Sequence, residues 1–194
     1  MKPNLYLYLP VKPVHINQPF GANPAYYAKF LDDEGNPLKG HMGIDFMAEH
    51  GHSIYAAHDG QAAFVTDIHG GEGVWVYASG YATIYWHLIG TTDPKFPTVI
   101  PNDGQKHPVK AGDLIGYANN TGAPFESSGD HLHFGLIFLT QYGTVANETN
   151  GYGGCVDPEP YFNGICAQDI AQLTILESAL VVVLTKLRDY LLKA

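Results

Sequence analysis

HDGQAAFVTDIHGGEGVWVYASGYATIYWHL, residues 58–88, holds three short strand candidates, 61–68, 73–78 and 81–88. Gly-containing turns bound them at His58-Asp59-Gly60, His69-Gly70-Gly71 and Ser79-Gly80. Further candidates flank this stretch at 41–47, 53–57, 113–118 and 131–139. Residues 5–20 read as a first strand leading into Gln18-Pro19-Phe20-Gly21. Many short strands with frequent turns predict a mainly β fold, a sandwich or a partly open barrel. Composition agrees: 22 Gly and 13 Pro supply turns, and 13 Tyr suit half-buried strands. A chain of 194 residues is long enough for one domain with a real core. Residues 21–40 read as a loop, with turn signals at Asn23-Pro24 and Asp32–Pro37, and 90–110 as an irregular excursion rich in Pro.

Ten Lys and Arg against 19 Asp and Glu give a net charge of −9. An acidic chain gains no counterion-release energy on a polyanion, which argues against nucleic acid as a partner and against an anionic membrane surface. The N-terminal MKPNLYLYLPVKP is too short in apolar residues, and too broken by Pro10 and Pro13, to read as a secretory leader. No uninterrupted apolar run reaches 18 residues, so no transmembrane segment is expected. Cys155 and Cys166 could form a disulfide or remain two free thiols.

From about Gln168 the pattern changes. Leu173, Leu176, Leu180, Val183, Leu187 and Tyr190 recur at alternating steps of three and four, one stripe of an α-helix over 168–194. Ile175, Ala179 and Val182 widen it. Three uses stay open: packing on its own domain, self-association or docking to a partner, and anchoring at a membrane surface. Glu177 and Lys186 interrupt the apolar face and weaken the last. The organisation expected is a domain over 1–165 followed by a helix over 166–194.

Two patterns carry chemistry: His41-Met42-Gly43-Ile44-Asp45-Phe46 and His131-Leu132-His133-Phe134-Gly135. On a strand, side chains alternate faces. His41 and Asp45 would then share one face while Ile44 and Phe46 enter the core, and Gly43 leaves space on the polar face. His131 and His133 obey the same rule, with Leu132 and Phe134 opposite. Imidazole and carboxylate suit zinc, which in catalytic sites keeps three protein ligands and an open position. A fourth polar residue left off the metal is placed to act as acid or base. Each pattern alone is weak; together, in a Gly-rich β chain, they point to a metal site.

An ordered series of segments extends these patterns. It runs Pro19-Phe20-Gly21, Gly40–Phe46, Ile54–Gly60, Ile84-Tyr85-Trp86-His87-Leu88, Val109–Gly116, Asn120-Thr121-Gly122, Gly129–Phe134 and Val156-Asp157-Pro158. Over residues 18–162 the chain thereby resembles the lysostaphin-type zinc metallopeptidases, also called LytM-type or peptidase family M-twenty-three. The resemblance implies an antiparallel β-sandwich or partly open barrel, a duplicated hybrid motif, here with a C-terminal helix. It implies one Zn2+ held by His41, Asp45 and His133, with His131 and His87 as catalytic histidines. His58 reads as structural; His15, His50, His52, His69 and His107 match no position of the series and read as solvated.

The implied activity is endopeptidase cleavage of stem peptides or cross-links in bacterial peptidoglycan, as in cell-wall remodelling or a phage endolysin. Action would lie in the cell wall, the periplasm or outside the cell. His131 would be general base and acid; His87 would hydrogen-bond the attacking water or the oxyanion. The loops 21–40, 90–108 and 140–155 are this chain's own and would wall the groove. The alternatives are a catalytically silent LytM-type binding or regulatory module, or a virion-associated structural component.

Overall fold

A computed structural model describes residues 5–32, 34–91, 93–122 and 129–191. The meander predicted from 58–88 forms: β5 (Gly60–Asp67), β6 (Gly71–Ala78) and β7 (Tyr81–Trp86) pair antiparallel in sequence. Ser79 and Gly80 make the two-residue connection between β6 and β7, and Gly80 takes φ 83°, where a side chain would be strained. Beyond β7 the sheet continues through β10 (His131–Phe138), β3 (Ile44–Met47) and β2 (Ile16–Gln18). At the other edge β8 (His107–Val109) joins β5. The order is β2-β3-β10-β7-β6-β5-β8, with β11 (Cys155–Val156) added to β10, and the sheet does not close.

Two short ladders complete the sandwich. β4 (Ser53–Tyr55) pairs with β9 (Leu114–Tyr117), and β1 (Leu7–Leu9) lies parallel to β12 (Phe162–Cys166). Ile54, Ile115 and Leu7 from these ladders meet Phe46, Tyr85 and Phe134 from the main sheet in one buried cluster. Burying an aliphatic or aromatic side chain of this size contributes about 1.5–3 kcal/mol.

The differences from the sequence reading are local. The strand expected at 41–47 begins only at Ile44; His41 lies ahead of it, before a bend at Met42 and Gly43. β8 arises inside the Pro-rich excursion because it is an edge strand, where the missing N–H of Pro108 costs no ladder bond. A single helical turn, α1 (Pro24–Tyr27), interrupts the 21–40 loop. Cys155 and Cys166 are free thiols on β11 and β12.

The helix expected from residue 168 spans Ala167–Leu191, as α2. Its root is packed: Ala167 is fully buried, Gly112 leaves no room for a Cβ against the first turn, and Asp169 pairs with Lys12 at 2.7 Å. Beyond that turn it leaves the domain, with Leu173, Ile175 and Val182 all more than half exposed. Among the described residues, the domain does not cover the helix beyond that turn. A spanning helix needs predominantly rather than uninterruptedly apolar residues, so run length alone does not decide the matter. Among the described residues, Ala167–Arg188 is a helix long and apolar enough to cross a membrane by length and composition, and apart from Ala167 none of it is buried. An uninterrupted-run test misses it because Glu177 and Lys186 break the runs without removing the apolar character of the whole.

Candidate active site

β10 is the strand on which the site is built. Leu132 and Phe134 are fully buried on one face, so His131 and His133 emerge on the other. Its neighbours hold the remaining groups: in register, His133 lies opposite Asp45 of β3 and opposite Trp86 of β7, one residue before His87. Beneath this surface Ala82, Ile84 and Ile137 form a small apolar floor.

His41, Asp45 and His133 converge as predicted, although His41 gets there through a bend. His41 Nε2 lies 2.9 Å from His133 Nδ1 and 3.1 Å from Asp45 Oδ1, and His133 Nδ1 lies 3.0 Å from that same oxygen. His41 donates its Nδ1–H to the Pro19 carbonyl at 3.2 Å, which leaves Nε2 with a lone pair facing the group. Two imidazole nitrogens and a carboxylate oxygen thus face one point, which a shared proton or a cation must neutralise. Ligands of a tetrahedral zinc at about 2.0–2.2 Å stand roughly 3.3–3.6 Å apart, so the triangle needs to open by only about half an ångström. The donor set and its spacing fit that ion.

Gly43 is required here for a reason different from the expected one. A Cβ at Gly43 would stand 2.7 Å from His133 Nε2 and 2.5 Å from the Phe134 carbonyl oxygen, so the space it leaves is filled by the His133 ring. Gly43→Ala is therefore expected to displace that ring and weaken zinc retention at least tenfold, the lower end for disturbed ligand support. Titration against a colorimetric chelator measures this; unchanged affinity would contradict the packing argument.

His131 and His87 stand beside this group, their ring centroids 4.5 Å apart. His131 Nε2 is 3.7 Å from Asp45 Oδ1, and its Nδ1 donates to the Gly129 carbonyl at 2.8 Å. His87 donates its Nδ1–H to the Thr121 carbonyl at 2.7 Å. It also adopts φ 63°, a left-handed conformation uncommon for a residue with a side chain and often kept at functional sites. The structure thus brings together all five residues singled out in the sequence.

Burial pushes the His87 imidazole down to about 3, helped by the neighbouring His131 and His133. Burial also holds His133 and, away from the site, His58 below the ordinary histidine value, with His133's bond to Asp45 and His58's to the Asp59 carbonyl opposing it. Burial works to raise the Asp45 carboxyl, but its bonds to His133 and His41 outweigh that and hold it low. In each imidazole the unfolded chain takes up a proton first. Stability is therefore complete above the unfolded value of about 6.5 and drains away as pH falls below it. Asp45 adds a loss below about 3.9. The urea midpoint of chelator-treated protein should fall steadily from neutral pH toward pH ~4; a flat or rising midpoint would contradict the buried neutral histidines.

His58 is structural, as expected: its Nδ1 donates to the Asp59 carbonyl, and Nε2 lies 2.9 Å from Thr83 Oγ1 in the core. His69, read as solvated, is exposed and also lines the cleft beside the site. The cleft, roughly 380 Å³, is walled by aromatic residues including Tyr27, Phe30, Trp75 and Trp86. Tyr27 comes from the 21–40 loop, its ring 5.5 Å from that of His41. Asp32, Asp67 and Glu148 also line the cleft, and no Lys or Arg does so among the described residues. No sequence pattern marked Trp75, His69 or Glu148; only the fold places them here.

Residues 39–147 match the family model of peptidase family M23, and the chain belongs to that family, the lysostaphin-type metallo-endopeptidases. No curated protein sequence matches it. Among solved structures, LytU is 26% identical with a TM-score of 0.51 over 76% of this chain and 83% of its own. A zinc-containing peptidase from Vibrio cholerae is 24% identical, TM-score 0.53, over 79% of this chain. Csd3 from Helicobacter pylori is 21% identical, TM-score 0.53, over 94%. The match spans only 39% of the Vibrio chain and 44% of the Helicobacter chain.

Proposed function

We propose that the chain is a zinc endopeptidase that hydrolyses the peptide part of bacterial peptidoglycan, with residues 1–165 as its catalytic unit. The observation that carries this is the convergence of three proton-accepting atoms from His41, Asp45 and His133 at about 3 Å, with two further histidines beside them. Zinc held there supplies a Lewis acid that acidifies water and polarises the scissile carbonyl.

The chain's own groups move the proton. The Nδ1–H of His131 is committed to Gly129, so Nε2 is the atom that takes the proton of the attacking water and returns it to the leaving amine. His87, with Nδ1–H committed to Thr121, offers Nε2 as an acceptor to that water. Burial disfavours its cation, which supports the water-orienting role over direct donation to the oxyanion in the resting site.

The bond cleaved is proposed to be D-alanyl to diamino acid. Carboxylates of Asp32, Asp67 and Glu148 in a cleft without Lys or Arg among its described lining suit the ammonium kept by the donor stem's diamino acid, whose side-chain amine is not acylated; a glycyl bridge has no such group along its length. Action in the cell wall follows from that substrate. The experiment is incubation of purified sacculi with the protein, with and without chelator, and mass analysis of what is released. Fragments ending in D-alanine, released only without chelator, are expected. Zinc binding without any release would favour the silent binding module.

A further inference from the structure

We propose that α2 crosses a lipid bilayer and holds the catalytic unit at its outer face. The inference rests on the helix alone and not on the peptidase reading. With 25 residues, α2 is about 37 Å long, against roughly 30 Å for a bilayer's hydrocarbon core. Such a helix is ordinarily either the buried core of a soluble fold or an N-terminal leader. Here the apolar span is unburied and follows a folded unit.

The distribution of side chains selects the occupant. An interfacial helix keeps one polar face. At 100° per residue, Ile175 and Val182 project opposite Leu173 and Leu180, with Val181 and Val183 between, and all are more than half exposed. A helix pair would cover the stripe of Leu173, Leu176, Leu180, Val183 and Leu187 but leave Ile175, Val181 and Val182 in water. A bilayer covers them all.

The polar groups agree. The Thr174, Ser178 and Thr185 hydroxyls each donate to the carbonyl four residues back, at 3.1, 2.9 and 2.8 Å, and so need no water. Glu177 is the single mid-span cost. Lys186 lies close enough to the end to reach headgroups with its ammonium. Lys186 and Arg188 place the C-terminal end on the cytoplasmic side, and Asp169, paired with Lys12, stays outside with the catalytic unit. The acidic net charge does not oppose this, because insertion is driven by apolar transfer rather than surface charge.

The test uses the whole chain, purified in detergent and reconstituted into phosphatidylethanolamine and phosphatidylglycerol vesicles. Wild-type protein should float with the vesicles and resist an alkaline carbonate wash. Ile175→Arg with Val182→Arg, both off the heptad stripe, should lower the floated fraction about tenfold while leaving the urea midpoint of the catalytic unit unchanged. Release of wild-type protein by the wash, equal flotation of the variant, or a soluble dimer in both would overturn the proposal. Protease added to intact spheroplasts should remove the catalytic unit; sparing it would overturn the orientation.

Discussion

Asp45→Ala is expected to strip the protein of zinc and to abolish peptidase activity, a loss of about a thousandfold or more. Asp45 Oδ1 is the one atom in contact with both His41 and His133, at 3.1 and 3.0 Å, and it supplies the only negative charge of the triad. Without it, two imidazole nitrogens 2.9 Å apart remain, and they can satisfy each other by sharing a proton. The fold should therefore survive, because Ile44 and Phe46 stay packed on the opposite face of β3. Metal analysis after dialysis should find about one zinc per wild-type chain and almost none in the variant. A variant that kept its zinc would show that the carboxylate is not a ligand.

His131→Ala should give the opposite split: zinc retained, and kcat/KM lower by about a hundred- to ten-thousandfold. His131 is on the same face of β10 as His133 but stands 3.7 Å from Asp45 Oδ1, outside the close triangle. Its Nδ1–H is tied to the Gly129 carbonyl, so removal takes away a positioned proton acceptor and no metal ligand. KM should move little, because the cleft walls lie elsewhere. Full activity in this variant would transfer the general-base role to His87. Lost zinc would instead make His131 a ligand.

The site was legible because its residues obey local rules. His131 and His133 alternate with Leu132 and Phe134, and a two-residue period puts like with like whatever the sheet around them. The meander from Gly60 to Trp86 was legible for the same reason, its turns being marked by Gly71 and Gly80. His41 reaches Asp45 and His133 as the spacing implied, but from ahead of β3 rather than on it, since i and i+4 share a side in a bent approach as well as in a strand. The cleft was not legible. Tyr27, Trp75, His69 and Glu148 come together from segments distant in sequence, and no periodicity links them. β8, β11 and β12 are strands of five residues or fewer that exist because an edge was available to pair with.

The helix shows the reverse case. Its existence and its heptad stripe were plain from Leu173 to Leu187, but its surroundings were not. Whether a stripe is covered by its own domain is a tertiary fact, and here it is uncovered beyond the first turn. A tether of this kind would limit cleavage to wall peptides within reach of the membrane, which links the two proposals without making either depend on the other.

The most direct measurement is an anomalous difference map from crystals of the zinc-loaded protein, recorded on both sides of the zinc absorption edge. One peak is expected about 2.0–2.2 Å from His41 Nε2, Asp45 Oδ1 and His133 Nδ1, with a solvent oxygen as fourth ligand. A peak bound elsewhere, or one enclosed by four protein atoms, would contradict a catalytic zinc at this triad.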